Sequence, residues 1–100
     1  MYIAMNRFRI APGAEETFER LWRERESHLD GVPGFREFHL LRGPTSEDET
    51  LYASHSVWDS REAFEAWTES DSFRKAHAQA RAPQGTYLGH PRFEGFEVIL

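Results

Sequence analysis

Stretches of this chain that read as strands, the first with period-two alternation, are interleaved with two regions in which apolar residues recur every three or four positions. Tyr2 to Ile10 sets Tyr2, Ala4, Asn6, Phe8 and Ile10 on one face and Ile3, Met5, Arg7 and Arg9 on the other, which predicts a strand. Pro12-Gly13 turns the chain. Glu15 and Glu16 suit the positive first turn of a helix that carries Phe18, Leu21, Trp22 and Leu29 on one stripe. The run Asp30 to Gly34 stops that helix, because Gly accepts the left-handed cap and Pro cannot continue the ladder. Phe35 to Arg42 reads as a second strand, Gly43 to Glu49 as a polar hairpin loop, and Leu51 to Trp58 as a third strand. Asp59 or Ser60 caps the next helix, with Glu62 placed to close a capping box on Asp59. Its apolar positions are Ala63, Phe64 and Trp67. Ser70-Asp71-Ser72 interrupts it, and Phe73, Ala76, His77 and Ala80 resume a helical spacing. Arg81 to Pro91 has no period and reads as a surface loop; Arg92 to Leu100 is the last strand.

The order strand, helix, strand, strand, helix, strand is the split βαβ pattern, so the expected class is α+β, a ferredoxin-like β-α-β-β-α-β sandwich in one domain, residues 1–100. Two helices cover one face of a four-stranded sheet. Strand three nevertheless carries Leu51, Ala53 and Val57 on one face and Tyr52 and Trp58 on the other, and strand one is apolar on both faces as well. A second copy of the chain is the simplest cover for the other face, so a homodimer is expected.

Composition narrows the function more than the fold. A net charge of −5 with both signs interleaved argues against nucleic acid as partner. The absence of cysteine excludes disulfides, thiolate ligands, iron–sulfur clusters and heme attached through Cys. The apolar start, Met1 to Met5, is too short for a signal peptide or a membrane span, which makes the cytoplasm the expected compartment by elimination.

Four residues invite a chemical reading. Asn6 is a single amide among apolar neighbours on one strand face; it either bonds a nearby loop or a water, or points into a pocket. His77 shares a stripe with Phe73, Ala76 and Ala80. A lone His there is more often a hydrogen-bonded core residue than a ligand, but the small alanines leave room for a large planar group. Trp67, taken alone, is ordinary core. Arg25 falls on the apolar side of the first helix, where it either snorkels to water or meets a ligand carboxylate. The other histidines give weaker signals, and no HExxH, two-His-plus-carboxylate or Gly-rich phosphate motif occurs.

Asn6 in the first strand, Trp67 in the second helix and His77 ten residues later together resemble the signature of the small heme-degrading monooxygenases of the antibiotic-biosynthesis-monooxygenase superfamily. The text around them agrees across the chain: Val32-Pro-Gly-Phe35, Trp58-Asp-Ser60, Ala63-Phe-Glu-Ala-Trp67 and Phe73-Arg-Lys-Ala-His77. The resemblance looks closest to the rhizobial-type branch that makes biliverdin. It implies a dimeric β-barrel and a heme oxygenase in which His77 ligates the heme iron, Asn6 reaches the distal ligand and Trp67 distorts the macrocycle. It further implies a groove lined by Phe64, Phe73 and Ala76, and Arg25 as a propionate contact. Heme is then both substrate and oxygen-activating cofactor, with O2 activated on the iron, an external electron donor and an unidentified reductase. The ring opens to release iron and a biliverdin-like tetrapyrrole. Two alternatives remain open at this point: a cofactor-free quinol or aromatic monooxygenase of the same superfamily, and a non-catalytic heme-binding dimer.

Overall fold

Strand β1 (Tyr2–Ile10) is the axis on which the rest is assembled. The computed structural model describes residues 1–24, 29, 31–78 and 83–100, with the side chains of Ser72 and residues 76–78 outside that description. After β1 come α1 (Glu15–Glu24), β2 (Phe35–Thr45), β3 (Thr50–Trp58), α2 (Arg61–Thr68), α3 (Asp71–Ala78) and β4 (Arg92–Glu97). The strands form one sheet in the order β2-β3-β1-β4, every neighbouring pair antiparallel. This is the expected α+β, ferredoxin-like arrangement; the sheet of the single chain is open and not closed into a barrel.

The register sorts the side chains by face. Tyr2, Ala4, Phe8 and Ile10 are buried on the helix side with Tyr52 and Trp58, forming two aromatic clusters. One joins Tyr2, Ala4, Leu29 and Trp58 to Phe64 and Trp67; the other joins Phe8, Ile10, Phe18 and Tyr52 to Trp22 and Tyr87. The opposite face carries Ile3 and Met5 in register with Val57 and His55, flanked by Phe96, Leu41 and His39. Leu41 is 41% exposed and Phe96 46% exposed there.

Several boundaries differ from those expected, each for a local reason. The hairpin loop shrinks from Gly43–Glu49 to residues 46–49, where the Ser46 hydroxyl accepts from the amides of Asp48 and Glu49 and the Ser46 amide donates to the Glu49 carbonyl. Pro44 is tolerated inside β2 because β2 is an edge strand, and a register shift falls between Arg42 and Thr45. Ser60, not Asp59, is the N-cap of α2, its hydroxyl accepting from the Ala63 amide at 3.1 Å. The capping box on Asp59 therefore does not form; the Asp59 carboxylate pairs with Arg36 instead. β4 ends at Glu97, three residues early, because β1 has no residue left to pair beyond Met1.

The aperiodic segment before β4 is more than a surface loop. Ala11 donates to the Thr86 carbonyl, Leu88 donates to the Arg9 carbonyl, and Tyr87 bridges Ile10. These bonds satisfy the edge of β1 where β4 no longer reaches, which is why a stretch with no period is still fixed. Leu29, expected on the helical stripe, is buried at 6% exposure but lies outside any helix.

Candidate active site

Between the helix side of the sheet and the helices lies a cavity of about 730 Å³. Its floor is Ala4, Asn6 and Phe8 of β1 with Ser54 and Ser56 of β3 and Phe38 of β2. Leu21, Trp22 and Leu29 close one side, Phe64, Trp67, Thr68 and Phe73 the other, and Tyr87, Pro91 and Phe93 the third. A mostly apolar cavity with a few placed polar groups is the usual form of a small-molecule site.

The walls are held from behind. Trp67 packs on Trp58 at 5.3 Å between ring centroids and meets Phe73 edge-on at 4.8 Å and 87°. Ser70 fixes that corner: its hydroxyl donates to the Trp67 carbonyl at 2.6 Å and accepts from the Phe73 amide at 3.2 Å. The Ser-Asp-Ser interruption is thus a joint that turns the chain from α2 into α3 while both aromatic walls keep their place. Phe64 stacks on Phe93 at 5.6 Å and 6°, tying α2 to β4. Across the cavity, Trp22 stacks on Phe38 at 5.6 Å and 18°.

Trp22 is positioned by polar contacts one helical turn earlier. Tyr52 donates its hydroxyl to Glu19, whose carboxylate also meets Arg23 at 3.0 Å and Arg42 at 3.5 Å. Burial, then the hydrogen bond to Glu19 and its negative charge, push the Tyr52 phenol up to about 12. Tyr52 therefore stays a donor at any ordinary pH. Nearby, the Thr50 hydroxyl donates to Glu15 at 3.1 Å, and Glu15 lies below the usual carboxylate range, first through its own backbone amide at the helix start.

Of the residues singled out from the sequence, Asn6, Phe64, Trp67 and Phe73 line this one cavity. His77 falls in α3, one turn after Phe73 in the sequence, and its side chain and that of Ala76 lie outside the described residues. Arg25 lies outside them altogether. Sequence reasoning missed Ser54 and Ser56, although alternation from Tyr52 to Trp58 places both on the cavity face. It also missed Tyr87, Pro91 and Phe93, for which the aperiodic segment offered no pattern. Among the described residues no helix is long and apolar enough to cross a membrane.

Residues 1–79 match the family described as antibiotic biosynthesis monooxygenase. A curated relative, the mycobilin-producing heme oxygenase of Mycobacterium tuberculosis, is 34% identical over 99 residues, covering 98% of this chain and 89% of the relative. The solved structure of the heme-degrader MhuD from the same organism, with two hemes bound in its active site, aligns with a TM-score of 0.77 at 29% identity, over 100% of this chain and 97% of that one. SnoaB, a cofactor-independent oxygenase from Streptomyces nogalater, shares the fold with a TM-score of 0.70 at 20% identity, over 99% and 93% of the two chains. The chain belongs to the antibiotic biosynthesis monooxygenase family.

Proposed function

We propose that the protein is a heme-degrading monooxygenase acting as a homodimer. The observation that supports it best is the convergence of Asn6 and Trp67, far apart in sequence, on one large apolar cavity, in a chain that is 34% identical to a heme oxygenase along nearly its whole length. The cavity fits the substrate by chemistry: heme is a wide apolar plate, and Phe64, Trp67, Phe73 and Phe93 offer ring faces and edges to such a plate. Bound heme supplies a reducible iron at which O2 is activated, and its own ring is what is oxidised. An external donor, delivered by a reductase, supplies the electrons.

The chain's residues then divide the work. His77 in α3 holds the iron with a neutral imidazole nitrogen, and Ala76 beside it leaves room for the ring. Arg25 meets a propionate. Asn6, on the sheet floor, donates a hydrogen bond on the distal side of the ring. Trp67, backed by Trp58 and Phe73, would be the rigid bulk that presses on the bound macrocycle and distorts it. The other face of the sheet, with Ile3, Met5, Val57 and Phe96, meets the same face of a second copy.

The product is an opened tetrapyrrole with iron released. The sequence resemblance favours a biliverdin-like product, the M. tuberculosis relative is named for mycobilin, and the product mass tells them apart. The test of the whole reading is a hemin titration followed by ascorbate, watched by absorbance. A Soret band that forms and is then lost under reductant is expected. A Soret band that persists under reductant leaves heme binding and removes degradation. No Soret band removes both, and turnover of a quinol without heme would assign the cofactor-free chemistry instead.

A further inference from the structure

Four of the polar side chains lining the cavity are an amide or a hydroxyl on the sheet floor or on α2: Asn6, Ser54, Ser56 and Thr68. Two of these are already occupied. The Ser56 hydroxyl accepts from the Trp58 indole at 2.9 Å and donates to the Ala4 carbonyl at 3.3 Å, and the Thr68 hydroxyl donates to the Glu65 carbonyl at 2.7 Å. The side chains of Asn6 and Ser54 make no hydrogen bond with any described residue. They are register partners across β1 and β3, on the same face of the sheet. Side chains so paired stand roughly 5 Å apart at Cβ. Ser54 is 8% exposed, and the surface it retains lines the cavity.

No hydrogen bond among the described residues asks for a hydroxyl at this position. In a central strand a β-branched apolar residue packs better than Ser, and a hydroxyl that opens only into an apolar cavity gains when a ligand supplies its hydrogen-bond partner. Resting on the heme-degrading reading above, we propose that Ser54 is a second distal hydrogen-bonding residue that acts with Asn6 and determines which edge of the macrocycle is opened. Asn6 alone offers a single point of attachment about which the distal ligand can rotate. A second donor beside it, displaced along the β1–β3 pairing direction, fixes that rotation and so favours one meso position over the others.

The test compares Ser54→Ala, Ser54→Thr and Ser54→Val, the last two being alike in shape and different in the hydroxyl. Each is loaded with heme, reduced under carbon monoxide, and read by the C–O stretching frequency, then turned over with ascorbate for the isomers of ring opening. Loss of a donor raises the C–O frequency, so Ala and Val are expected to read higher than wild type and Thr to return towards it. The isomer ratio should change by about threefold or more in Ala and Val, with heme affinity kept within about tenfold. If Ala matches wild type in frequency and in isomer ratio, Ser54 has no such role, even where the bulkier Thr and Val variants fail to fold. A wild type that binds heme without degrading it overturns the heme-degrading reading, and an unchanged C–O frequency in Ala would then separately overturn the role of Ser54. A wild type that binds no heme overturns both.

Discussion

The Trp67 indole and the Phe73 ring meet edge-on at 4.8 Å across the break between α2 and α3, and one hydroxyl, that of Ser70, bonds the backbone of both residues. The corner is therefore a rigid piece of wall, which is what a residue pressing on a bound ring requires. Trp67→Ala should bind heme within about tenfold of wild type, roughly 1.4 kcal/mol, and degrade it far more slowly. It should also lose about 2–4 kcal/mol of stability, because Trp58, Phe64 and Phe73 lose a shared neighbour. Trp67→Phe should fall between on both counts. Chemical unfolding and turnover per bound heme, measured on the same preparations, separate the two effects. A Trp67→Ala variant that is unstable yet fully active per bound heme would leave the indole a packing role only.

His77→Ala should lose most heme affinity or shift the Soret band, whereas His39→Ala and His55→Ala should not. The contrast comes from the sheet. His39 and His55 are register partners on β2 and β3, in the row that also holds Met5, and that row faces away from the cavity. A hemin titration of the three variants decides it. An unchanged spectrum in the His77 variant moves the ligand to His90, which is exposed in the segment before β4.

How far the sequence told this in advance depended on whether a feature was periodic. The four strands and the split βαβ order follow from period two and from two intervening apolar stripes. Asn6 stood out because it breaks such a pattern, whereas Trp67 continues one and stood out only through the family resemblance. Ser54 and Ser56 did not stand out, since small polar residues in a strand look like a solvated face until the helices are placed over them. Thr86 and Tyr87 were illegible for another reason: they are fixed by backbone bonds to β1, and backbone bonding leaves no mark on residue type. The capping residue was narrowed to Asp59 or Ser60. The choice fell to Ser60 because the Arg36 guanidinium engages Asp59.

The open sheet face carries a prediction about assembly. Ile3, Met5, Leu41, Val57 and Phe96 lie on it together, and Arg7 and Glu94 pair with each other within the chain, which lowers the cost of covering their charges. Light scattering at micromolar concentration should give twice the 11.7 kDa chain mass. Phe96→Glu should shift the protein towards monomer, and heme should still bind because the cavity is on the other face. A stable wild-type monomer would remove the two-sheet dimer.

Stability should fall between pH 10 and 12 through Tyr52. Its phenol titrates near 10 in the unfolded chain and at about 12 in the fold, so between those values the folded state holds the extra proton. The contribution is complete below pH 10 and is lost as pH rises through 12, up to about 2 kcal/mol. Tyr52→Phe removes the titrating group and the bond to Glu19 together. Its unfolding free energy should be lower than wild type at pH 8 by about 1–2 kcal/mol and should decline less steeply above pH 10. Urea midpoints across that range check both the offset and the slope, and equal slopes would show that Tyr52 does not carry the alkaline transition.

Gly34 sets how closely α2 approaches the start of β2. It has φ +81°, a conformation that costs a non-glycine residue about 1–2 kcal/mol. A Cβ built on it would come within 2.5 Å of the Ala63 Cβ in the first turn of α2, and its carbonyl accepts from the Asp59 amide at 2.8 Å. Gly34→Ala therefore meets two obstacles, one in its own backbone and one in its neighbour. The clash pushes on the turn that carries Phe64, so α2 must shift and the cavity wall with it. The expected loss is about 2–4 kcal/mol, with slower heme degradation because Trp67 rides on the same helix. The two obstacles can be separated. In an Ala63→Gly background, itself weaker by about 1 kcal/mol from helix propensity, the clash is gone and Gly34→Ala should cost only the backbone strain. The double variant should thus be more stable than the sum of the singles predicts, by about 1–2 kcal/mol, and should recover turnover. Strict additivity would mean that α2 yields freely at this point, and that the close approach of Gly34 to Ala63 does not hold the wall.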